Sequence, residues 1–155
     1  AQTIGDYRGY EELSERRSTD SALRRFLIQV IRELLQKLDQ SFQADNPDDQ
    51  ERLDTLVQST RRKLKTIRQS LNDPTYHEVP FFNQAQFPER RLGRLYDLEQ
   101  DMVEETCEIQ QELHVLDPDQ VKREAFEDHF LQIQNFIDNI NQYLFERESL
   151  IVGEE

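Results

Sequence analysis

Leu23, Leu27, Val30, Ile31, Leu34, Leu35 and Leu38 recur at intervals of three and four, the spacing of one face of an α-helix. The interval returns three more times along the chain. Leu53, Val57, Thr60, Leu64, Ile67 and Leu71 step by four and three; Leu92, Leu95, Leu98, Met102, Ile109, Leu113 and Leu116 form a third stripe. Phe126, His129, Phe130, Ile133, Phe136, Ile137, Ile140, Tyr143 and Leu144 form a fourth. An isolated amphipathic helix is marginal in water, so four such stripes must cover one another. No stretch alternates with the period of two that a strand requires. The expected fold is therefore all-α, an antiparallel up-down-up-down four-helix bundle with a long ordered loop between helices two and three.

Turn and cap signals set the expected boundaries. Helix one is expected over Thr19 to Gln43, with Ser18, Thr19 or Asp20 as its N-cap and Phe26 and Phe42 on its apolar face. After "ADNPDD", helix two should run from Asp48 to Asn72, and Pro88 suits the first turn of helix three. "LDPDQ" at 116–120 reads as a break and restart, with Asp117 as N-cap and Pro118 at the first helical position. At 155 residues the chain suits one domain. The expected division is a flexible arm at 1–17, which Tyr7, Tyr10 and Leu13 could pin, a bundle at 18–150 and a frayed tail at 151–155.

Two apolar arcs are wider than a single partner helix can cover. On helix one Ile28 broadens the face, and on helix three Tyr96, Val103 and Cys107 make a second line. Between helices two and three lies "TYHEVPFFNQAQFPE", residues 75–89, unusually aromatic for a connection. Either its aromatics fold back over the bundle as a lid, or they stay exposed and dock a partner. In the docking case Tyr76, Phe81, Phe82 and Phe87 act as anchors beside Arg90, Arg91 and Arg94. Those arginines stand at the start of helix three, where the helix dipole favours anions, so a carboxylate or a partner must answer them.

Charge narrows the choice of partner. Residues 1–96 hold 16 Lys and Arg against 15 Asp and Glu, a net +1, whereas residues 97–155 hold 3 against 17, a net −14. Such a balance opposes generic binding to nucleic acid or anionic lipid. Asp97, Asp101, Glu104, Glu108 and Glu112 form an acidic face on helix three, and Arg61, Lys65 and Arg68 a basic face on helix two. Like charges four residues apart repel, which a basic partner would relieve. The basic face is expected to pair within the bundle, against helices three and four.

Chemistry-bearing motifs are few. A di-iron bundle needs Glu-x-x-His pairs on facing helices, and the chain has none, so neither a metal nor another cofactor is expected. His77, His114 and His129 do not converge by any visible spacing, and no phosphate loop or nucleophile elbow is present. No catalytic residue is assigned and the chain is expected not to be an enzyme. Cys107 is alone, which suits a reducing, cytoplasmic setting, and the longest apolar run, "FLIQVI", is far too short to cross a bilayer. The chain opens at Ala1 rather than methionine, which is compatible with a removed leader. The leading expectation is a protein-protein interaction module, an adaptor or assembly subunit that can self-associate through the wide arcs of helices one and three. The alternatives are an acidic decoy or chaperone for a basic protein, and a helical subunit of a nucleic-acid-associated complex. The last requires Arg61, Lys65, Arg68 and Arg94 to form one continuous positive face.

Overall fold

The computed structural model describes residues 4–39, 46–73, 78–115 and 123–152. Phe42, Tyr76, His77 and the 116–120 restart lie outside these residues, as does the side chain of Phe126. Four helices make up the fold: α1 (Leu13–Leu38), α2 (Pro47–Leu71), α3 (Glu89–Val115) and α4 (Arg123–Val152). No strand occurs among the described residues, and the chain is an all-α four-helix bundle.

Side-chain contacts fix the directions of the helices. Arg24 in the first half of α1 donates to the Leu71 carbonyl at the end of α2, at 3.1 Å. Arg52 and Glu127 bring the starts of α2 and α4 within 3.5 Å. Arg147, near the end of α4, meets Glu99 in the first half of α3 and Asp20 in α1. The helices thus alternate in direction. Their neighbours, however, are not those of a simple ring: α1 and α4 each pack against both α2 and α3, which leaves α2 and α3 on opposite corners. The connection from α2 to α3 must therefore cross the end of the bundle diagonally. Its 3₁₀ turn, Pro80–Phe82, packs on α1 and α4, the two helices of the other diagonal.

The core divides in two along the bundle axis. Leu27, Ile31, Leu34, Leu64, Ile67, Met102, Phe130 and Ile137 belong to the long central cluster. A second cluster at the crossed end joins Tyr10, Phe81, Phe82, Leu95 and Ile151. Phe81 stacks edge-on against Phe82 and Phe87 at 5.1 and 4.8 Å, arrangements that suit the ring quadrupoles. The aromatic connection is a lid. Phe81 and Phe82 are buried and cannot serve as the exposed anchors of the docking expectation.

The expected boundaries move at both ends of the chain. α1 starts at Leu13, inside the stretch read as an arm, and Tyr10 is fully buried. Thr19 and Asp20, read as candidate caps, lie inside the helix with no exposed surface, because each has a tertiary partner. At the other end Ile151 is helical and buried against the lid rather than frayed, and residues 153–155 lie outside the description. α1 ends at Leu38, ahead of the expected Gln43. The α2 signal reads true to one residue: Asn46 caps the helix by accepting from the Asp49 amide at 2.9 Å, with Pro47 in the first turn.

Leu64 has no exposed surface, so Leu64→Asp should abolish the cooperative unfolding transition seen by circular dichroism. Phe82→Ala should cost about 3 to 5 kcal/mol in a urea titration, as for other buried phenylalanines. A lid energetically separate from the bundle would instead leave the main transition in place.

Candidate functional site

Beneath the lid the bundle holds charged side chains, although its stripes read as apolar. Asp20, Glu99 and Arg147 are all at least 98% buried. Ions taken out of water must be paired and hydrogen-bonded, and these are. Arg147 Nε donates to Glu99 Oε2 at 2.8 Å, while its Nη2 donates to both Asp20 and the Tyr10 hydroxyl. Asp20 also receives Arg24 Nε at 3.0 Å, the next turn along α1. Glu99 accepts the hydroxyls of Tyr7 at 2.8 Å and Tyr10 at 2.7 Å. Two carboxylates thus face two guanidiniums, and two phenols complete the coordination of Glu99. The group is a clamp: its polar atoms are engaged with one another.

The N-terminal segment is tied in from both sides of its chain. Arg16, buried on the first turn of α1, donates to the carbonyls of Tyr10, Phe81, Gln84 and Ala85 at 2.7 to 3.1 Å. Its guanidinium lies 4.7 Å from the centre of the Phe81 ring, a cation-π contact. One side chain thereby satisfies four backbone groups of the arm and lid that the helices cannot reach. Gly9 has φ +96°, a left-handed conformation, and a Cβ there would stand 2.7 Å from the Tyr96 hydroxyl. Only glycine allows the arm to pass so close to α3.

Burial raises the Tyr7 and Tyr10 phenols above the ordinary value of 10.0, and the Glu99 carboxylate adds to the effect. In Tyr10 the Arg147 charge opposes it. Tyr96 is pushed up to about 12, by burial first and then by its hydrogen bond to Glu11.

Next to the clamp a groove of about 900 Å³ runs along the flank of α3. Ile4 and Tyr7 of the arm form one wall, and Tyr96, Glu99, Val103 and Cys107 of α3 lie along it. Glu104 and Glu108 stand on its rim. This is the second apolar line that makes α3 too wide for a bundle edge: the arm covers part of it and the groove leaves the rest open.

The acidic face expected on α3 is present, with Asp97, Asp101, Glu104 and Glu108 exposed and Glu112 half-buried. Only Glu104 and Glu108 of these border the groove. Glu112 turns toward His129, whose Nδ1 lies 3.3 Å from its Oε2. Among the described residues no group of His, Cys, Asp and Glu is placed to hold a metal ion. Arg61 pairs with Asp39 at the end of α1, and Lys63 approaches Asp138 of α4 at 3.8 Å. Lys65 is exposed and Arg68 half-buried. Arg94 lies 3.8 Å from Glu146 of α4, a carboxylate that answers one of the three arginines at the start of α3. Arg90 is exposed, and Phe87 and Arg91 are half-buried. Because α2 and α3 occupy opposite corners, Arg61, Lys65 and Arg68 do not join Arg94 in one positive face. Sequence spacing could not reveal the clamp, since its members are up to 137 residues apart. The one local hint is a run of capping-type residues, Ser18 to Asp20, that continues into a helix instead of starting it.

The chain matches no protein-family model, no curated protein and no solved structure.

Arg147→Met should leave Glu99 buried without its cation and Asp20 with Arg24 alone, and cost about 3 to 5 kcal/mol in denaturant unfolding. In a double-mutant cycle Glu99→Gln should recover part of that loss, and additive effects would show that the two groups are not coupled. The phenols bind their protons more tightly when folded than when unfolded. The contribution of Tyr96 to stability is complete below pH 10 and falls as the pH rises through about 12, and those of Tyr7 and Tyr10, also raised by burial, fade only at alkaline pH. Phenolate absorbance and helicity should therefore change together above pH 10, and tyrosines that ionise well before the helices melt would contradict the clamp.

Proposed function

We propose that the chain is a non-catalytic protein-interaction module whose groove on α3 takes a basic amphipathic helix of a partner protein. The observation that carries this reading is the pairing of an apolar floor with an acidic rim in a single groove. Val103, Tyr96 and Ile4 offer area to an apolar stripe, and Glu104 and Glu108 stand where lysines or arginines beside that stripe would fall. Helix-in-groove recognition works by this division: apolar anchors supply affinity, and rim charges supply approach rate and selectivity. The net −14 of residues 97–155 adds a long-range field of the same sign.

The proposal replaces the buried lid aromatics with the α3 groove as the docking surface. It also shifts any self-association away from α1, whose Leu23, Leu27, Val30 and Ile31 are buried in the bundle. Among the described residues, the large apolar side chains left exposed, Leu131, Phe145 and Val152, are on α4. A decoy or chaperone for basic proteins would use the same carboxylates without the floor, and that difference separates the readings. The nucleic-acid-associated reading loses the continuous positive face it requires.

Immobilised wild-type chain should retain a protein through high-salt washes. Val103→Arg should weaken that retention more than tenfold, on the scale of a groove anchor lost. Glu104→Lys with Glu108→Lys should weaken it and flatten its salt dependence. Retention that ignores both sets of changes refutes the groove. Salt-labile retention that responds only to the glutamates moves the function to the decoy reading, and a nuclease-sensitive catch to the nucleic-acid one.

A further inference from the structure

On the opposite side of the arm from the groove, a second concave site of about 450 Å³ is lined by Asp6, Arg8, Arg17, Ser18, Ser21 and Arg25. We propose that it binds a phosphomonoester group. Three arginines and two serines line it, in a chain whose net charge is −13. Arginine forks and serine hydroxyls are the donor set that a phosphoryl group takes, with its three acceptor oxygens.

The fold builds this lining from two elements. Arg17, Ser21 and Arg25 follow one another at four-residue spacing on α1, with Ser18 beside them, so they share a helix face. Arg8 arrives from the arm, where its amide donates to Thr19 Oγ1 at 3.1 Å, and the same threonine donates to the Gly9 carbonyl at 2.9 Å. Arg17 is steadied by the Asn83 side chain of the lid. Ser18 donates to the Glu15 carbonyl at 3.0 Å, and the Glu15 carboxylate lies 3.4 Å from the same hydroxyl at the border of the site.

Asp6 occupies the place of the ligand's charge. It sits at φ 66°, a conformation aspartate tolerates better than most residues, in a turn where the Tyr7 amide donates to the Ile4 carbonyl at 3.3 Å. Its carboxylate is 3.8 Å from Arg25, and both side chains are more than 60% exposed. A long, solvated pair of this kind contributes little and is easily displaced. Three arginines against Asp6 leave the pocket lining at +2, which matches the charge of about −1.5 to −2 on a phosphomonoester at neutral pH. The negative field of the whole chain repels an extended polyanion, so an isolated phosphoryl group is favoured over a nucleic acid or a membrane surface. That group is carried either by a phosphorylated protein side chain or by a free small molecule.

The test is an NMR titration of the labelled full chain with inorganic phosphate, with a phosphoserine peptide and with its unphosphorylated form, at matched ionic strength. Saturable amide shifts at Arg8, Ser18 and Ser21 are expected from the phosphorylated probes alone. Arg8→Gln and Arg25→Gln should each weaken binding about tenfold, and Asp6→Asn should tighten it several-fold. All three positions are exposed, so the helical signal should be unchanged. A phosphopeptide at least tenfold tighter than phosphate assigns the site to a phosphorylated protein, and equal affinities assign it to free phosphomonoesters. The proposal is overturned if neither probe gives saturable shifts, or if the shifts persist unchanged in Arg8→Gln and Arg25→Gln.

Discussion

A guanidinium withdrawn from water must meet carboxylates from all the directions it faces, and Arg147 does so between α1 and α3. Much of the crossed end of the bundle is arranged around that requirement. Glu99 needs more donors than Arg147 supplies, so the arm brings Tyr7 and Tyr10 inward. Tyr10 then offers its carbonyl to Arg16, which in turn holds the lid. A buried ion pair is weak evidence for net stability, since its desolvation cost rivals its attraction. Its stronger effect here is on register. Sliding α4 by one turn against α3 would separate Arg147 from both carboxylates, a penalty that an apolar stripe of interchangeable leucines and isoleucines does not impose.

The helices were legible because their evidence is periodic and local. The stripes of α2, α3 and α4 read almost directly into buried positions, and Asn46 with Pro47 marks the start of α2 to within a residue. The spatial order of the helices was not legible, because four alternating directions fit more than one arrangement of neighbours. The clamp was hidden for a related reason: Tyr10, Asp20, Glu99 and Arg147 are ordinary surface residues by type and are made interior ones only by contacts distant in sequence. Thr19 and Asp20 misled in a specific way. Residues that favour caps do so by bonding nearby backbone, and the same oxygens serve a tertiary partner in mid-helix when one is supplied. The groove was half visible, as Tyr96, Val103 and Cys107 in excess of what a bundle edge needs. Its other wall, Ile4 and Tyr7, came from a segment whose composition suggested an arm.

That arm is better regarded as a partition. Tyr7 turns toward Glu99 and the groove, while its neighbours Asp6 and Arg8 turn toward the outer face of α1. The left-handed turn at Asp6 places this change of side just ahead of Tyr7. A short segment pinned by Thr19, Tyr96 and Glu99 therefore contributes to two surfaces of contrasting chemistry, one apolar with acidic edges and the other rich in guanidinium.

The hydrogen bond between Arg147 and Tyr10 joins residues 137 positions apart, nearly the full span of the chain. During synthesis at about 5 to 20 residues per second, Tyr10 and the lid aromatics emerge many seconds before the cation that completes their end of the bundle. Until then Glu99 and Asp20 have no Arg147, and the apolar faces of Phe81 and Phe82 lack the α4 surface that later covers them. A chain that lacks α4 would thus display aromatics that the complete bundle buries, the kind of exposed apolar surface that makes partly folded chains prone to aggregate. Placing the clamp's cation so close to the end of α4 makes the closure of that end of the bundle a report that α4 has arrived.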